Sequence, residues 1–195
     1  TEAWEWYIRA FGMDCRIFED EAEARLMLPY TGGEPRSRHA VLAMNLQSGG
    51  GFEVWQHKGK IPEYRDRETT LGDLGIFSCK MKVKDVDAAW KYWTENNVEV
   101  LGKPMADPAG KKSFFVRDPF GNIFHIVGAT DWFMNLKKIS GGSYGAIIGV
   151  SDVDKALGLY SGILGYDRVV YDVTGTFDDL SPVPGGGGSF RRVLL

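Results

Sequence analysis

The feature of this sequence that most restricts its possible folds is an internal repeat. Residues Tyr7–Asp14 recur as Tyr160–Asp167 at an offset of 153 residues, and Asp85–Ala89 recur as Asp152–Ala156 at an offset of 67. In the second pair, an alternating apolar strand runs into an aspartate that can cap the first turn of a helix. A repeat of this length indicates copies of one supersecondary unit. We therefore expect three copies of a unit made of a strand, a helix and a three-strand meander.

Hydrophobic periodicity places the elements of each copy. Copy one begins within its helix, which Gly12 ends, because glycine readily adopts the left-handed backbone of a helix C-terminus. The predicted strands of copy one are Cys15–Phe18, Ala24–Pro29, Ala40–Leu46 and Gly51–Gln56.

Copy two is predicted in full and copy three in part. Copy two has a strand at Phe77–Val83, a helix at Val86–Asn96, a short strand at Val98–Leu101 and two further strands within 114–127. Copy three has a strand at Tyr144–Val150, a helix at Val153–Leu164, a strand at Arg168–Tyr171 and a last segment at Phe190–Leu195.

The last two strands of copy two meet at a tight turn, Asp118–Asn122. Pro119 presets the backbone for a turn, Gly121 tolerates the left-handed conformation, and the Asp118 carboxylate can accept hydrogen bonds from amides further round the turn. The strand after this turn carries His125 among large hydrophobic residues. A histidine in such a strand is the sharpest chemical signal in the sequence.

The repeats also predict the domain organisation. Residues 1–130 are expected to form a first domain, with module one at 1–57 and module two at 74–128. Residues 131–143 are expected to be a linker, and residues 144–195 an incomplete third module that starts a second domain. The offset of 153 residues puts the first strand of module one before Thr1, and module three stops before a final strand. The chain is thus expected to be truncated at both ends.

Composition excludes several classes of protein. The net charge of −3 and the pI of about 5.7 give no basic footprint for nucleic acid. No apolar run approaches the roughly 20 residues that a membrane-spanning helix needs. The two cysteines, Cys15 and Cys79, stand beside large apolar residues, so a disulfide framework is not expected. This pattern predicts a cytoplasmic protein that acts on neither nucleic acid nor membrane.

The residues that carry these patterns resemble a known family. Asp118–Asn122, the strand-to-helix segment Val83–Ala89 and the segment Tyr160–Asp167 are similar to motifs of the vicinal oxygen chelate superfamily. That superfamily includes glyoxalases, extradiol dioxygenases and bleomycin-resistance proteins. The resemblance implies an α+β fold in which paired βαβββ modules form a curved mixed sheet around a cavity. It leaves a homodimer open.

The resemblance also implies where a metal would bind. In this superfamily the ligands come from the first and fourth strands of each module. The fourth-strand positions fall on Glu53 and His125, whereas the first-strand positions fall on Ser78 and Gly145, which are poor ligands. Glu53, His125 and a residue before Thr1 would then hold one divalent ion, Zn, Ni, Mn or Fe, or the protein would hold none.

Other residues near these positions are candidates for substrate binding. Ser78 and Lys80 share one face of their strand, and Trp55 shares a face with Glu53. If the Ser78 face lines the cavity, Lys80 predicts an anionic ligand or an ion pair with Glu53. If it faces water, Lys80 is an ordinary strand lysine. The alternative for His125 is a buried histidine that is hydrogen-bonded to a neighbour or lines a metal-free pocket. The alternative for Glu53 is a solvated edge residue.

Two functions follow from these alternatives. The first is a metal-dependent glyoxalase-like or dioxygenase-like enzyme, a lyase, isomerase or dioxygenase that acts on a small carbonyl or enediolate-type substrate. The second is a metal-free protein that sequesters a small aromatic or cationic molecule, as bleomycin-resistance proteins do. Glu53 and His125 favour the enzyme, whereas Ser78 and Gly145 favour the binding protein.

Overall fold

The computed structural model describes residues 1–23, 25–58, 63 and 66–195. Its helices are α1 (Glu2–Phe11), α2 (Val86–Glu95) and α3 (Val153–Gly162), with 3₁₀ helices at Arg25–Tyr30 and Asp178–Leu180. Its strands are β1 (Cys15–Glu23), β2 (Ser37–Asn45), β3 (Gly50–His57), β4 (Gly75–Val83), β5 (Glu99–Ala106), β6 (Lys112–Arg117), β7 (Ile123–Gly128), β8 (Ser140–Gly149), β9 (Tyr171–Gly175) and β10 (Phe190–Leu194). The predicted α+β class is confirmed. Within the described residues, no helix is long and apolar enough to cross a membrane.

Side-chain caps start the helices where the repeats indicate. Asp85 accepts a hydrogen bond from the amide of Ala88 at 2.9 Å, and Asp152 accepts one from the amide of Lys155 at 3.0 Å. Each carboxylate satisfies an amide that has no partner within its own helix. At the other end of α1, Gly12 adopts φ 65°, as predicted for a helix that ends on glycine. The strand-to-helix signature in the sequence therefore marks real helix starts.

Two predicted strands are wrong. The segment predicted as Ala24–Pro29 is a 3₁₀ helix from Arg25 onward, and Ala24 lies outside the described residues. The carbonyl of Leu28 accepts local hydrogen bonds from the amides of Thr31 and Gly33, which replace the cross-strand pairing that the alternation suggested. Strand β1 instead continues to Glu23, paired along its length with β2.

The strand predicted at Arg168–Tyr171 is displaced along the chain. Strand β9 begins at Tyr171, where the predicted strand ends, and runs to Gly175. The position of β9 is set by its partner strand β10. The pairing runs from Tyr171, opposite Leu194, to Gly175, opposite Phe190. Without an alignment to β10, apolar alternation alone could not fix this position.

The chain divides into two compact units. Unit 1 contains Thr1–Arg67 and Thr130–Ser143, and unit 2 contains Glu68–Ala129 and Tyr144–Leu195. The predicted pairing of modules one and two in one domain remains a prediction. In unit 1, β1, β2 and β3 form an antiparallel sheet in that order.

Residues 131–143, expected to be a linker, are hydrogen-bonded within unit 1. The Gln47 side chain accepts from the amides of Leu136 and Lys138, both at 3.1 Å, and donates to the carbonyls of Lys138 and Ser140 at 2.9 and 3.0 Å. The Asn45 amide donates to the carbonyls of Phe11 and Ser140 at 2.7 and 2.9 Å. Both amides are buried, so they hold residues 136–140 of this segment against unit 1, although the side chains of 133–137 are exposed.

Unit 2 is built on a five-stranded mixed sheet in the order β5-β6-β7-β4-β8. Strands β4 and β7 are parallel, and β5 and β7 are both antiparallel to β6. Helix α2 lies against one face, where the rings of Trp93 and Phe114 pack 5.9 Å apart. The residues that form a second apolar cluster are Phe77, Phe115, Ile123, Leu180 and Val183. That cluster joins the sheet to the segment after β9.

We expect Gln47→Ala to lower the free energy of unfolding by about 1–3 kcal/mol, because it removes the side-chain partner of the part-buried amides of Leu136 and Lys138 and of the Lys138 carbonyl. Urea denaturation followed by circular dichroism measures this change. The control is Gln56→Ala, which removes an exposed amide from β3 and should change stability by less than about 0.5 kcal/mol. Equal stability of the two variants would contradict the assigned role of Gln47.

Candidate functional site

The turn before β7 sets the geometry of the site. Asp118 is buried, and its Oδ1 accepts hydrogen bonds from the amides of Phe120 and Asn122 at 2.9 and 2.7 Å. Its Oδ2 accepts a third from the side chain of Asn122 at 2.8 Å. Gly121 adopts φ 85° at the tip. The predicted turn is confirmed, and it aligns β6 with β7 so that Phe115 lies opposite His125.

The His125 side chain is buried. Its residual exposure is 3%, and its ring stacks on that of Phe115 with centroids 4.4 Å apart and planes inclined by 13°. Both ring nitrogens are buried, and neither has a hydrogen-bond partner among the described residues. A histidine hydrogen-bonded to a neighbour is therefore not what the described residues show, and a histidine that lines a metal-free pocket remains open. Buried polar atoms without partners are rare, which makes this ring the first candidate for contact with a ligand.

The pKa of His125 lies well below its usual value. Burial is the main cause, because it disfavours the charged ring, and the positive charges of Lys80 and Arg192 act in the same direction. The imidazole is therefore neutral at pH 7. A neutral imidazole offers one N–H donor and one lone pair to a ligand.

Lys80 lies beside His125 in the sheet. The two residues are directly paired in the parallel register of β4 and β7. The Lys80 stem crosses Gly145 of β8, with its Cδ 3.7 Å from where a Cβ of that glycine would be. Burial and the charge of Arg192 lower the pKa of Lys80, against the opposing effect of Asp107. Within the described residues, the Lys80 ammonium forms no hydrogen bond or ion pair.

The face of β4 that carries Lys80 is buried. Lys82 is 4% exposed and lies over the ring of Tyr144, with its Nζ 4.8 Å from the ring centroid. Ser78 is also buried, and its hydroxyl lies 3.3 Å from the carbonyl oxygen of Cys79, to which it donates. Lys80, between these two residues, is half-buried, so most of this face is covered. That the face lines a cavity remains a prediction. The role of Ser78 in substrate binding remains a prediction.

An ion pair in the same unit, Arg192 with Asp179, was missed by sequence reasoning. Arg192 Nη1 donates to Oδ1 of Asp179 at 2.9 Å and lies 2.8 Å from Oδ2. The guanidinium lies over the rings of Tyr171 and Phe177, at 5.4 and 5.3 Å from their centroids. Burial raises the pKa of Tyr171 to about 12. The only sequence signal was an acidic pair in a Pro/Gly-rich loop and a basic pair in a short strand, with no register to join them.

The remaining predicted site residues lie in unit 1. Glu53 is exposed in β3, opposite Leu42. Trp55 is 38% exposed, and the Arg38 guanidinium carbon lies 4.5 Å from its ring centroid. Two nitrogens of Arg38, Nε and Nη1, are buried and have no hydrogen-bond partner in the part of the chain that the structure describes. The predicted roles of Glu53 as a metal ligand and of Trp55 as a ring that contacts substrate remain predictions.

The side chains around His125 do not fit a divalent cation. Within the ranges that the structure describes, no three His, Cys, Asp or Glu side chains come together as a metal site. The charged groups that act on the imidazole belong to Lys80 and Arg192, both cations, and the Ser78 hydroxyl bonds to its own strand. A divalent ion needs several oxygen, nitrogen or sulfur donors in its first shell, and adjacent positive charges oppose its binding.

Comparison with known proteins gives the class. Residues 1–126 match the sequence model of the Glyoxalase/Bleomycin resistance protein/Dioxygenase superfamily. Among solved structures, a mutant of glyoxalase I from Zea mays is similar with a TM-score of 0.56 and 14% identity, over 87% of this chain and 52% of that one. A glyoxalase family protein from Bacillus cereus aligns with a TM-score of 0.49 and 13% identity, over 58% of this chain and 76% of that one.

A superfamily member from Sphaerobacter thermophilus aligns with a TM-score of 0.41 and 21% identity, over 66% of this chain and 86% of that one. This chain spans about half the length of the maize protein. Comparison with curated proteins finds no match. Because the family model covers well over half of the sequence, this chain belongs to the Glyoxalase/Bleomycin resistance protein/Dioxygenase superfamily, as the sequence resemblance indicated.

The lowered pKa of His125 makes a prediction about stability against pH. Below about pH 6.5, His125 is protonated in the unfolded chain but stays neutral in the native protein. The free energy of unfolding therefore falls as the pH falls from about 6.5 towards the lower native pKa. One such proton contributes at most about 1.4 kcal/mol per pH unit. In His125→Phe, which keeps an aromatic ring next to Phe115, the slope between pH 6.5 and 5 should be shallower. Identical slopes from urea denaturation would contradict the burial of a neutral ring.

Proposed function

We propose that this protein binds a small anionic molecule at Lys80 and His125 and does so without a metal. The observation that carries the proposal is a buried imidazole with two unpartnered nitrogens, paired in the sheet with a lysine that has no ion pair in the described part of the chain. A desolvated ammonium is costly unless a negative charge compensates it. An anionic ligand supplies that charge.

The neutral ring of His125 complements such a ligand. Its N–H can donate to a carboxylate or carbonyl oxygen, and its other nitrogen can accept from a hydroxyl group. A small carbonyl-bearing or enediol-type molecule with one acidic group offers these partners. The positive charges of Lys80 and Arg192 act against the cationic ligand that the sequence left open.

The compartment is part of the proposal. Cys15 and Cys79 are both free thiols, and burial raises the pKa of Cys79 to about 11, which keeps that thiol protonated and unreactive. Free cysteines of this kind are typical of a reducing environment and support a cytoplasmic location. A homodimer remains a prediction.

Binding of benzoate, a carboxylate on a flat ring, tests the proposal. We expect isothermal titration calorimetry to detect benzoate binding to the wild-type chain and at least about tenfold weaker binding to Lys80→Met, because a charge-assisted contact is lost. The control is Lys103→Met, which removes an exposed lysine from β5 and should leave the affinity unchanged. Equal affinities for all three proteins, or no binding to any, would contradict the proposal.

The second candidate is the metal-dependent enzyme acting on a carbonyl or enediolate-type substrate. It is favoured by His125, which stands at the fourth-strand ligand position with both nitrogens unpartnered and its ring uncharged. The superfamily includes proteins described as glyoxalases and dioxygenases. The described neighbours of His125 do not fit a divalent metal ion.

Elemental analysis of the purified protein separates the two functions. The anion-binding account predicts no stoichiometric Zn, Ni, Mn or Fe after supplementation and dialysis. Near-stoichiometric metal that is lost in both Glu53→Ala and His125→Ala would overturn this account. It would instead support the enzyme and justify assays with hemithioacetals and catechols.

A further inference from the structure

We propose that Arg192, flanked by the rings of Tyr171 and Phe177, forms a carboxylate subsite, and that Asp179 is its internal occupant, displaced when a carboxylate ligand binds. This inference rests on the proposed function, because it concerns the same cluster as Lys80 and His125. It names the chemical class of the ligand and assigns Asp179 as the residue that limits its affinity.

The contacts of Asp179 show what the subsite accepts. Both of its carboxylate oxygens lie within 2.9 Å of Arg192 Nη1, one of them in a hydrogen bond. The guanidinium carbon lies 5.3 Å from the ring centroid of Phe177 and 5.4 Å from that of Tyr171, contacts that favour a cation at this position. The chain's own carboxylate thus occupies a position that suits a carboxylate from a ligand.

The subsite lies near the proposed anion site, because Phe177, whose ring is beside Arg192, packs against the apolar cluster that contains Phe115, and the Phe115 ring stacks on His125. Arg192 contributes to lowering the pKa of both His125 and Lys80, so its charge reaches both residues. Strands β10, β7 and β4 carry these three residues within unit 2. A ligand held by Lys80 therefore has a second cation near it, whose charge is already compensated by Asp179.

The turn that presents Asp179 does not depend on Arg192. Leu180, the next residue, is buried in the apolar cluster of unit 2 with Val183. The turn is closed by a hydrogen bond from the amide of Leu180 to the carbonyl of Phe177 at 3.1 Å, and by one from the Ser181 hydroxyl to the carbonyl of Asp178 at 2.8 Å. Displacing the Asp179 carboxylate therefore leaves the anchors of the turn in place.

The Asp179 carboxylate is also incompletely stabilised where it lies. Its exposure is only 3%, and burial raises its pKa although the Arg192 guanidinium acts in the opposite direction. The Asp107 charge adds to the increase, and the Tyr171 hydroxyl is the other titratable group that interacts with it. A ligand carboxylate can take over the guanidinium while Asp179 takes up a proton or turns towards solvent.

Removing the charge of Asp179 tests the subsite. Benzoate binding to the full chain is measured by calorimetry for wild type, Asp179→Asn and Asp178→Asn. Asp178 is the adjacent, exposed carboxylate and serves as the matched control. We expect Asp179→Asn to bind benzoate at least tenfold more tightly than wild type, and Asp178→Asn to bind it like wild type. Benzamide, the uncharged analogue, should show no difference among the three proteins.

The outcomes separate this inference from the function on which it rests. If wild type binds benzoate and Lys80→Met weakens it, but Asp179→Asn binds no more tightly, the subsite is wrong and the anion-binding function stands. If no protein in the series binds benzoate, both are wrong. If Asp178→Asn raises the benzoate affinity as much as Asp179→Asn does, the effect comes from general surface charge. That result would also overturn the subsite.

A second measurement covers the case in which Asp179→Asn does not fold. Benzenesulfonate remains ionised at low pH, so its binding to wild type and to Lys80→Met is followed from pH 7 down to the lowest pH at which both proteins stay folded. Proton uptake by Asp179 should free Arg192, so the affinity should rise in both proteins as the pH falls through the raised pKa of Asp179. An affinity that does not rise in either protein over this whole range would overturn the role of Asp179 as internal occupant.

Discussion

The carboxylate of Asp118 accepts three hydrogen bonds within one turn, and the alignment of β6 with β7 depends on these bonds. A shift of one residue in that register would move every side chain of β7 to the other face of the sheet. With the register fixed, His125 stacks on Phe115 and stands beside Lys80 across the parallel pair. The site is therefore a consequence of a turn that contributes no group to it.

The same scaffold position carries different chemistry according to its neighbours. Family resemblance places His125 where a metal ligand is expected, and its unpartnered nitrogens agree with that role. However, the charges that act on it come from Lys80 and Arg192, which oppose a cation and favour an anion. Membership of a superfamily thus establishes the fold and leaves the chemistry to the particular residues of the site.

The sequence predicted those features that depend on local rules. The helix starts at Asp85 and Asp152 and the turn at Asp118 follow from capping and turn chemistry, and all three are confirmed. Features set by distant partners were not predictable in this way. Strand β9 is positioned by β10, and the segment 131–143 is held by Gln47, more than 80 residues earlier. The Arg192–Asp179 pair was missed for the same reason, because no local sequence pattern links the two residues.

The central claim is that the buried ring of His125 faces an anion and not a metal ion. Nitrogen-15 NMR of the histidine side chains reports this directly, because ring nitrogens shift on protonation, on hydrogen bonding and on coordination to a metal. We predict a neutral His125 ring at pH 7 whose signals move when benzoate is added and stay in place with one equivalent of Zn²⁺. A coordination shift of His125 with Zn²⁺, together with no response to benzoate, would contradict the account.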